Sequence, residues 1–283
     1  MKRISFSCKL FLLFGLISSC GKSGNGDTQL FKSENCDTRF ARTFYVDGSL
    51  REEETLNADT VPYGVFVSYY QNGKVKYENF FIDGKENGIA KGFFENGEPR
   101  YLGKVDDGKK DSTWLWYEQK PDGLHLDMIE NYLNGKLFGG QLKFNKNGHF
   151  EWYKFYSLDG LLGKVSFEGS ESVVEGELGN IYYDQDELDI GEGFYSKIYL
   201  GVPPGWQSRL NVKILDKYGD LLETESGDLR KTEERNTDAY HFSFESKEQG
   251  TYSVKYSMHV MDEKGAIEYS DTLAIRLSVK ERH

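Results

Sequence analysis

Between about residues 40 and 167, short runs of apolar and polar residues alternate and are cut at regular intervals by turn dipeptides. One series is Asp47-Gly48, Asn72-Gly73, Asn96-Gly97, Asp122-Gly123 and Asn147-Gly148, whose glycines step by 25, 24, 26 and 25 residues. A second series, Asp83-Gly84, Asp107-Gly108, Asn134-Gly135 and Asp159-Gly160, falls between them. Asn-Gly and Asp-Gly tolerate positive φ at both central positions of a type I′ turn and close β-hairpins. Turns this close leave strands of about five to eight residues. The pattern predicts a ladder of hairpins in which Asn72-Gly73 and Asn96-Gly97 are two-residue type I′ turns.

The strands align as well as the turns. In the unit Gly64-Val65-Phe66-Val67-Ser68-Tyr69-Tyr70-Gln71-Asn72-Gly73, the Gly64 position recurs as Gly88, Ser112 and Gly139. The Phe66 position recurs as Ala90, Trp114 and Gln141, and the Tyr69 position as Phe93, Tyr117 and Phe144. This resembles the bacterial variant of the MORN repeat, close to Gly-x-Trp-x-x-Tyr-Tyr-x-Asn-Gly followed by a second turn. The resemblance implies a continuous single-layer sheet of repeated β-hairpins over residues 40–168. Ser112, Gln141 and the lengthened turn at 118–123 depart from it and predict looser packing in the third and fourth units. A lone hairpin cannot bury its aromatic face, whereas stacked hairpins cover one another. Tyr69, Phe93, Tyr117 and Phe144 are expected to stack on one buried face. Recognition is expected on the opposite face, with Trp116 and Trp152 as the ligand platform.

Beyond about residue 179 the repeat stops. Segments 181–183, 194–202, 209–215, 239–244, 251–261 and 269–279 alternate as strands, separated by turn sequences such as Pro203-Pro204-Gly205 and Asp262-Glu263-Lys264-Gly265. Gly250-Thr251-Tyr252-Ser253-Val254 resembles the Gly-x-Tyr-x-Val opening of a late strand in Ig-like and PKD-like modules. About a hundred residues of such strands suit a β-sandwich. The expected fold class is all-β: a single-layer sheet of repeated MORN-variant hairpins and a C-terminal Ig-like β-sandwich over 179–283.

The amino-terminal twenty residues follow a different pattern. Lys2 and Arg3 precede an apolar run from Leu10 to Ile17, the anatomy of a secretory signal. Ile17, Ser18, Ser19 and Cys20 resemble the bacterial lipoprotein signal, a branched apolar residue and two small residues before a cysteine. The resemblance implies removal of 1–19, diacylglycerol on Cys20 and palmitate or a similar acyl chain on its new amino group. Two or three chains at about 0.8 kcal/mol per buried methylene make a durable anchor. The glycine-rich polar stretch that follows predicts a lipidated flexible tether over 20–39. With Cys8 removed and Cys20 acylated, Cys36 alone remains and no intramolecular disulfide forms.

Charge narrows the partners. The net charge is −11, and removal of Lys2, Arg3 and Lys9 takes it to about −14. That balance repels nucleic acid, which is excluded as a partner. No His-Glu-x-x-His, Cys-x-x-Cys, Gly-x-Ser-x-Gly or Walker sequence is present, so no catalytic residue and no cofactor is assigned. Asp184, Asp186, Glu187, Asp189 and Glu192 are dense enough in hard oxygen ligands to suggest calcium. The spacing fails as an EF-hand, and a solvated junction or charged edge strand between the two domains is the favoured reading. The sequence therefore predicts a non-enzymatic lipoprotein of the bacterial cell envelope, at the outer membrane. It is anchored to the membrane through Cys20 and acts as a scaffold for an envelope protein partner. The alternative is a glycan- or peptide-binding module using exposed aromatics of the repeat sheet.

Overall fold

A computed structural model describes residues 28–32, 39–168, 171–222, 228–234, 237–245 and 248–281. Cys20, Cys36 and the segment 1–19 lie outside the described residues. Every described element is a strand, and the chain is all-β. The first sheet begins with β1 (Thr28–Lys32), β2 (Arg39–Phe44), β3 (Leu50–Leu56), β4 (Pro62–Tyr69), β5 (Val75–Ile82), β6 (Lys85–Glu86), β7 (Gly88–Phe93) and β8 (Pro99–Asp106). It continues through β9 (Lys109–Lys120), β10 (Gly123–Leu133), β11 (Lys136–Leu137), β12 (Gly139–Phe144), β13 (Phe150–Ser157), β14 (Gly160–Glu168) and β15 (Glu171–Gly176). The strands pair antiparallel in chain order, with the two-residue β6 and β11 set off the main path. This sheet starts within the stretch expected as tether, since β1 pairs with β2 from Thr28↔Thr43 to Lys32↔Arg39.

The two turn series have different geometries. In the second, Asp83 and Gly84 (φ 48° and 80°), Asp107 and Gly108 (48° and 75°) and Asn134 and Gly135 (52° and 84°) are type I′ pairs. At Asn72-Gly73 only the glycine has positive φ, +81°, and its N–H donates to Tyr70 O at 2.9 Å. Asn96-Gly97 repeats this, with Gly97 at +90° and its N–H on Phe94 O at 2.8 Å. Both are type I turns closed by a left-handed glycine, with the register shift of a G1 bulge, and not the expected type I′. The cause is the asparagine side chain. Asn72 Oδ1 accepts the Lys74 N–H at 3.0 Å and Asn96 Oδ1 the Glu98 N–H at 2.9 Å, Asx bonds that hold the asparagine at negative φ.

Neighbouring units are also tied together at both edges. Gln71 Nε2 donates to Asp47 Oδ2 (2.6 Å), Asn72 Nδ2 to Glu95 O (2.9 Å) and Lys74 Nζ to Asn96 O (2.7 Å). The hydrogen bonds from Ser49 and Gln71 hold the Asp47 carboxyl down at about 2. On the other edge the N–H groups of Gly84, Gly108 and Gly135 donate to Pro62, Glu86 and Lys110 carbonyls, each at 2.8 Å.

Residues paired across antiparallel strands share a face. The register sets Ser68, Tyr77, Gly92, Tyr101, Trp116, Met128, Lys143 and Trp152 side by side in one row. Phe66, Ala90, Trp114 and Gln141 lie on this same face, called here the aromatic face. Strand alternation puts Tyr69, Phe93, Tyr117 and Phe144 together on the opposite, aliphatic face. They share a face as expected but are only half-buried, and their rings do not stack on one another. The stacked rings are on the aromatic face instead. Glycines there leave hollows in the sheet: a Cβ on Gly92 would lie 2.1 Å from the Tyr101 ring, and one on Gly103 2.1 Å from Trp114. Flat rings fill those hollows, so Ala90, Trp114 and Gln141 are buried. The third and fourth units are therefore tightly packed, contrary to expectation.

Two four-stranded sheets follow. One is ordered β16 (Gly179–Tyr183), β18 (Gly193–Leu200), β21 (Thr237–Glu245), β20 (Asp228–Glu234). The other is β17 (Glu187–Asp189), β23 (Ile267–Lys280), β22 (Gly250–Met261), β19 (Gln207–Leu215). Phe194, Ile198, Leu200 and Phe242 of the first meet Val254, Tyr256, Met258 and Leu277 of the second in one core, a β-sandwich. Tyr252 is buried, and its hydroxyl donates to Glu248 O at 2.9 Å, the backward bond of a tyrosine corner. A second core joins sandwich to repeats. Leu142, Tyr153, Phe155 and Val165 on the aliphatic face pack with Leu178, Tyr199, Ala239 and Val260.

Candidate functional site

The densest polar cluster of the aromatic face is built on β9 and β10. The Asp107-Gly108 turn reverses β8 into β9 and brings Lys110 over its own strand's tryptophans. Lys110 Nζ lies 4.5 Å from the Trp114 ring, 4.4 Å from Trp116 and 4.8 Å from Tyr132. It also donates to the Tyr132 hydroxyl at 3.3 Å, which in turn donates to Glu130 Oε2 at 2.8 Å. Gln141 Nε2 donates to Glu130 Oε1 at 2.8 Å, and Tyr156 donates to Gln141 Oε1 at 3.2 Å. Burial lowers the Lys110 pKa, and the Glu130 charge opposes that shift. Burial raises the Tyr132 phenol, and the bond to Glu130 and its charge add to the rise. The arrangement is an aromatic cage already filled by the chain's own cation.

That occupancy decides the fate of the expected ligand platform. Trp116 and Trp152 share a row, separated by Met128 and Lys143 on the two intervening strands, at about 14 Å for three strand spacings. Trp116 carries Lys110, stacks on Trp114 at 5.8 Å and leans on Tyr101 at 5.4 Å. Trp152 carries Lys154 Nζ at 4.4 Å. Both rings already pack against side chains of their own sheet. Trp116 Nε1 is buried and, among the described residues, has no hydrogen-bond partner.

The five acids considered for calcium do not converge. Asp184 Oδ1 accepts the N–H groups of Gln185 (2.9 Å) and Tyr195 (3.1 Å). Glu187 Oε2 accepts Lys280 Nζ at 2.7 Å, a bond that lowers its pKa. Glu192 Oε2 caps the Asp189 N–H at 3.0 Å, while Asp186 uses its backbone carbonyl to accept from Ser278. Among the described residues no three His, Cys, Asp or Glu side chains are placed to hold a metal ion. The local cause is β17, where Leu188 is buried between exposed Glu187 and Asp189. Glu187 and Asp189 form the solvent side of an edge strand, and Asp184, Asp186 and Glu192 lie in the segments that flank it.

Sequence reasoning missed the aliphatic face. From β10 to β15 the sandwich covers it, leaving Tyr153 and Val165 at 0% exposure. Over β4 to β8 none of the described residues covers it, and Val65 (45%), Phe80 (39%), Ile82 (41%), Ile89 (52%) and Leu102 (38%) stand open. Val65 pairs directly with Phe80. The signal was legible in Phe80-Phe81-Ile82, an apolar run that puts large side chains on both faces of one strand, whereas a half-solvated sheet should alternate. No protein-family model matches this chain, and no curated protein matches it either.

Proposed function

We propose that the chain is a non-enzymatic scaffold of the bacterial cell envelope, held to the membrane by lipid on Cys20, whose MORN-like sheet docks a folded protein through its aliphatic face. One observation carries this reading. The face that is open at Val65, Phe80, Ile82, Ile89 and Leu102 is continuous with the face the chain itself closes at Leu142, Tyr153, Phe155 and Val165. The occupant seen there is a β-sandwich surface offering Tyr199, Ala239 and Val260. The partner's chemistry follows: a folded domain with an aromatic and aliphatic patch of the same kind. Contiguous exposed apolar surface of this sort marks interaction sites in stable proteins. Mixed charges border it, with the Glu78–Lys91 pair at 2.9 Å and the Arg42–Glu53 pair on the same face.

The test uses a photo-crosslinking residue in intact envelopes, at Ile89 on the aliphatic face and at Trp152 on the aromatic face. A discrete heterologous adduct from position 89 alone, lost on Leu102→Asp without change in melting temperature, is the expected result. An adduct of twice the chain's mass, equal labelling from both positions or no adduct at all would refute it.

A further inference from the structure

The sandwich has an open site of its own. A groove of about 610 Å³ crosses the outer face of the β16–β18–β21–β20 sheet, on the side away from the sandwich core. Register places Tyr182, Lys197 and His241 in one row, and Tyr195 and Ser243 in the next. Thr232 Oγ1 reaches the His241 imidazole at 3.3 Å from the adjoining strand. The repeat sheet closes one end, because the Tyr182 hydroxyl accepts the Leu158 N–H at 3.1 Å. Tyr199, one row farther on this face, is already buried edge-on against Phe138 at 5.1 Å. The groove is therefore the part of this face that docking of the repeats leaves accessible.

We propose that this groove binds a neutral saccharide chain. Three properties select that chemistry. Tyr195 is 60% exposed, which offers a free ring face to the CH surface of a pyranose. The remaining lining supplies hydroxyl, imidazole and amine groups with one carboxylate, Asp184, so it can both donate to and accept from sugar hydroxyls. Lys197 and Asp184 also balance in formal charge, which favours a neutral ligand. The volume falls within the roughly 300–1,000 Å³ of small-molecule sites. On the aromatic face of the repeat sheet, Trp116 and Trp152 already pack against Lys110 and Lys154. Among the described residues no lysine packs over the Tyr195 ring in this way.

The experiment takes the full chain in detergent. The probes are β-glucan, mannan, xylan and N-acetylglucosamine tetrasaccharides, with binding read by calorimetry and saturation-transfer NMR. At least one probe is expected to bind with a Kd of about millimolar or tighter. Tyr195→Ala should weaken it by about tenfold, a loss of about 1.4 kcal/mol, with the melting temperature unchanged because the ring is exposed. Trp152→Ala should leave it intact. Failure of every probe to bind at millimolar concentration, retention of binding in Tyr195→Ala, or loss in Trp152→Ala would each overturn the proposal.

Discussion

Gly103→Ala is the sharpest test of how the repeat sheet holds itself together. The added Cβ would stand 2.1 Å from Trp114 Cδ2, 2.3 Å from Cε2 and 2.6 Å from Cγ, directly under the indole. Carbon atoms rest at about 3.5–4.0 Å, so the ring must rise by more than an ångström. Rising draws Trp114 Nε1 off the Lys104 carbonyl, now at 3.0 Å, a bond worth about 1 kcal/mol. It also disturbs the Lys110 contact at 4.5 Å, worth about 0.5–2 kcal/mol. Overpacking alone typically costs about 1–3 kcal/mol. A loss of about 3 kcal/mol is expected, seen as a lower urea midpoint. Gly108→Ala is the control: its φ is +75° with nothing within 4 Å of the new Cβ, so only backbone strain of about 1–2 kcal/mol applies. In a double-mutant cycle, Trp114→Ala should absorb most of the Gly103→Ala penalty. Equal costs for the two alanines, or simple additivity with Trp114→Ala, would refute the ring-over-glycine account.

Ser112 sits at φ +57° where the equivalent positions are Gly64, Gly88 and Gly139, so Ser112→Gly should stabilise by about 1 kcal/mol; a lower melting temperature would contradict this. Burial raises the phenols of Tyr153, Tyr256 and Tyr269, the last to about 12. A phenol that keeps its proton above the unfolded value of 10.0 contributes stability that is present below pH 10 and is lost as pH rises toward 12. Lys110, with a lowered pKa, acts in the opposite sense but is outnumbered by the raised phenols, which also include Tyr101 and Tyr132. The melting temperature should fall across that window, and a flat profile would be inconsistent with it. Cys20→Ala should abolish palmitate incorporation and release the chain from membranes, and labelled, membrane-bound mutant protein would dispose of the lipid anchor.

Much of the fold could be read from the chain because turn chemistry is local. Asn-Gly and Asp-Gly spacing located nearly every hairpin of the repeats. The turn type at Asn72-Gly73 was misjudged because an Asx bond to Lys74 competes with the type I′ geometry, and dipeptide identity does not report that competition. The buried series was misjudged for a related reason. Tyr69, Phe93, Tyr117 and Phe144 look like the core because they are aromatic at a fixed repeat. Which face closes is instead decided by Gly92 and Gly103, small residues that admit Tyr101 and Trp114 from the neighbouring strand. Cross-strand register is a non-local property, and periodicity within one strand cannot supply it. The five acids failed as a metal site by the same logic: density along the chain says nothing about convergence, and Asp184, Glu187 and Glu192 each turn to a different partner, the Tyr195 N–H, Lys280 and the Asp189 N–H.

The two faces of the repeat sheet also differ in what they require. The aromatic face covers itself, since Tyr101 and Trp114 fill the hollows at Gly92 and Gly103 and neighbouring rings stack on them without a second layer. The aliphatic face has no such device, and branched side chains such as Val65 and Ile89 stand off the sheet. A single layer built this way buries its aliphatic side only where something packs on it. At the carboxyl end of the repeats the sandwich does so, and Phe155 is pressed so closely that a Cβ on Gly201 would lie 2.7 Å from it. At the amino end no part of the described chain does, while the inter-turn bonds from Asp47 to Asn96 keep the units in register without a core. The sheet is thus a pre-organised surface whose backbone order does not depend on the partner. Docking there pays little conformational entropy, which is the property a scaffold needs.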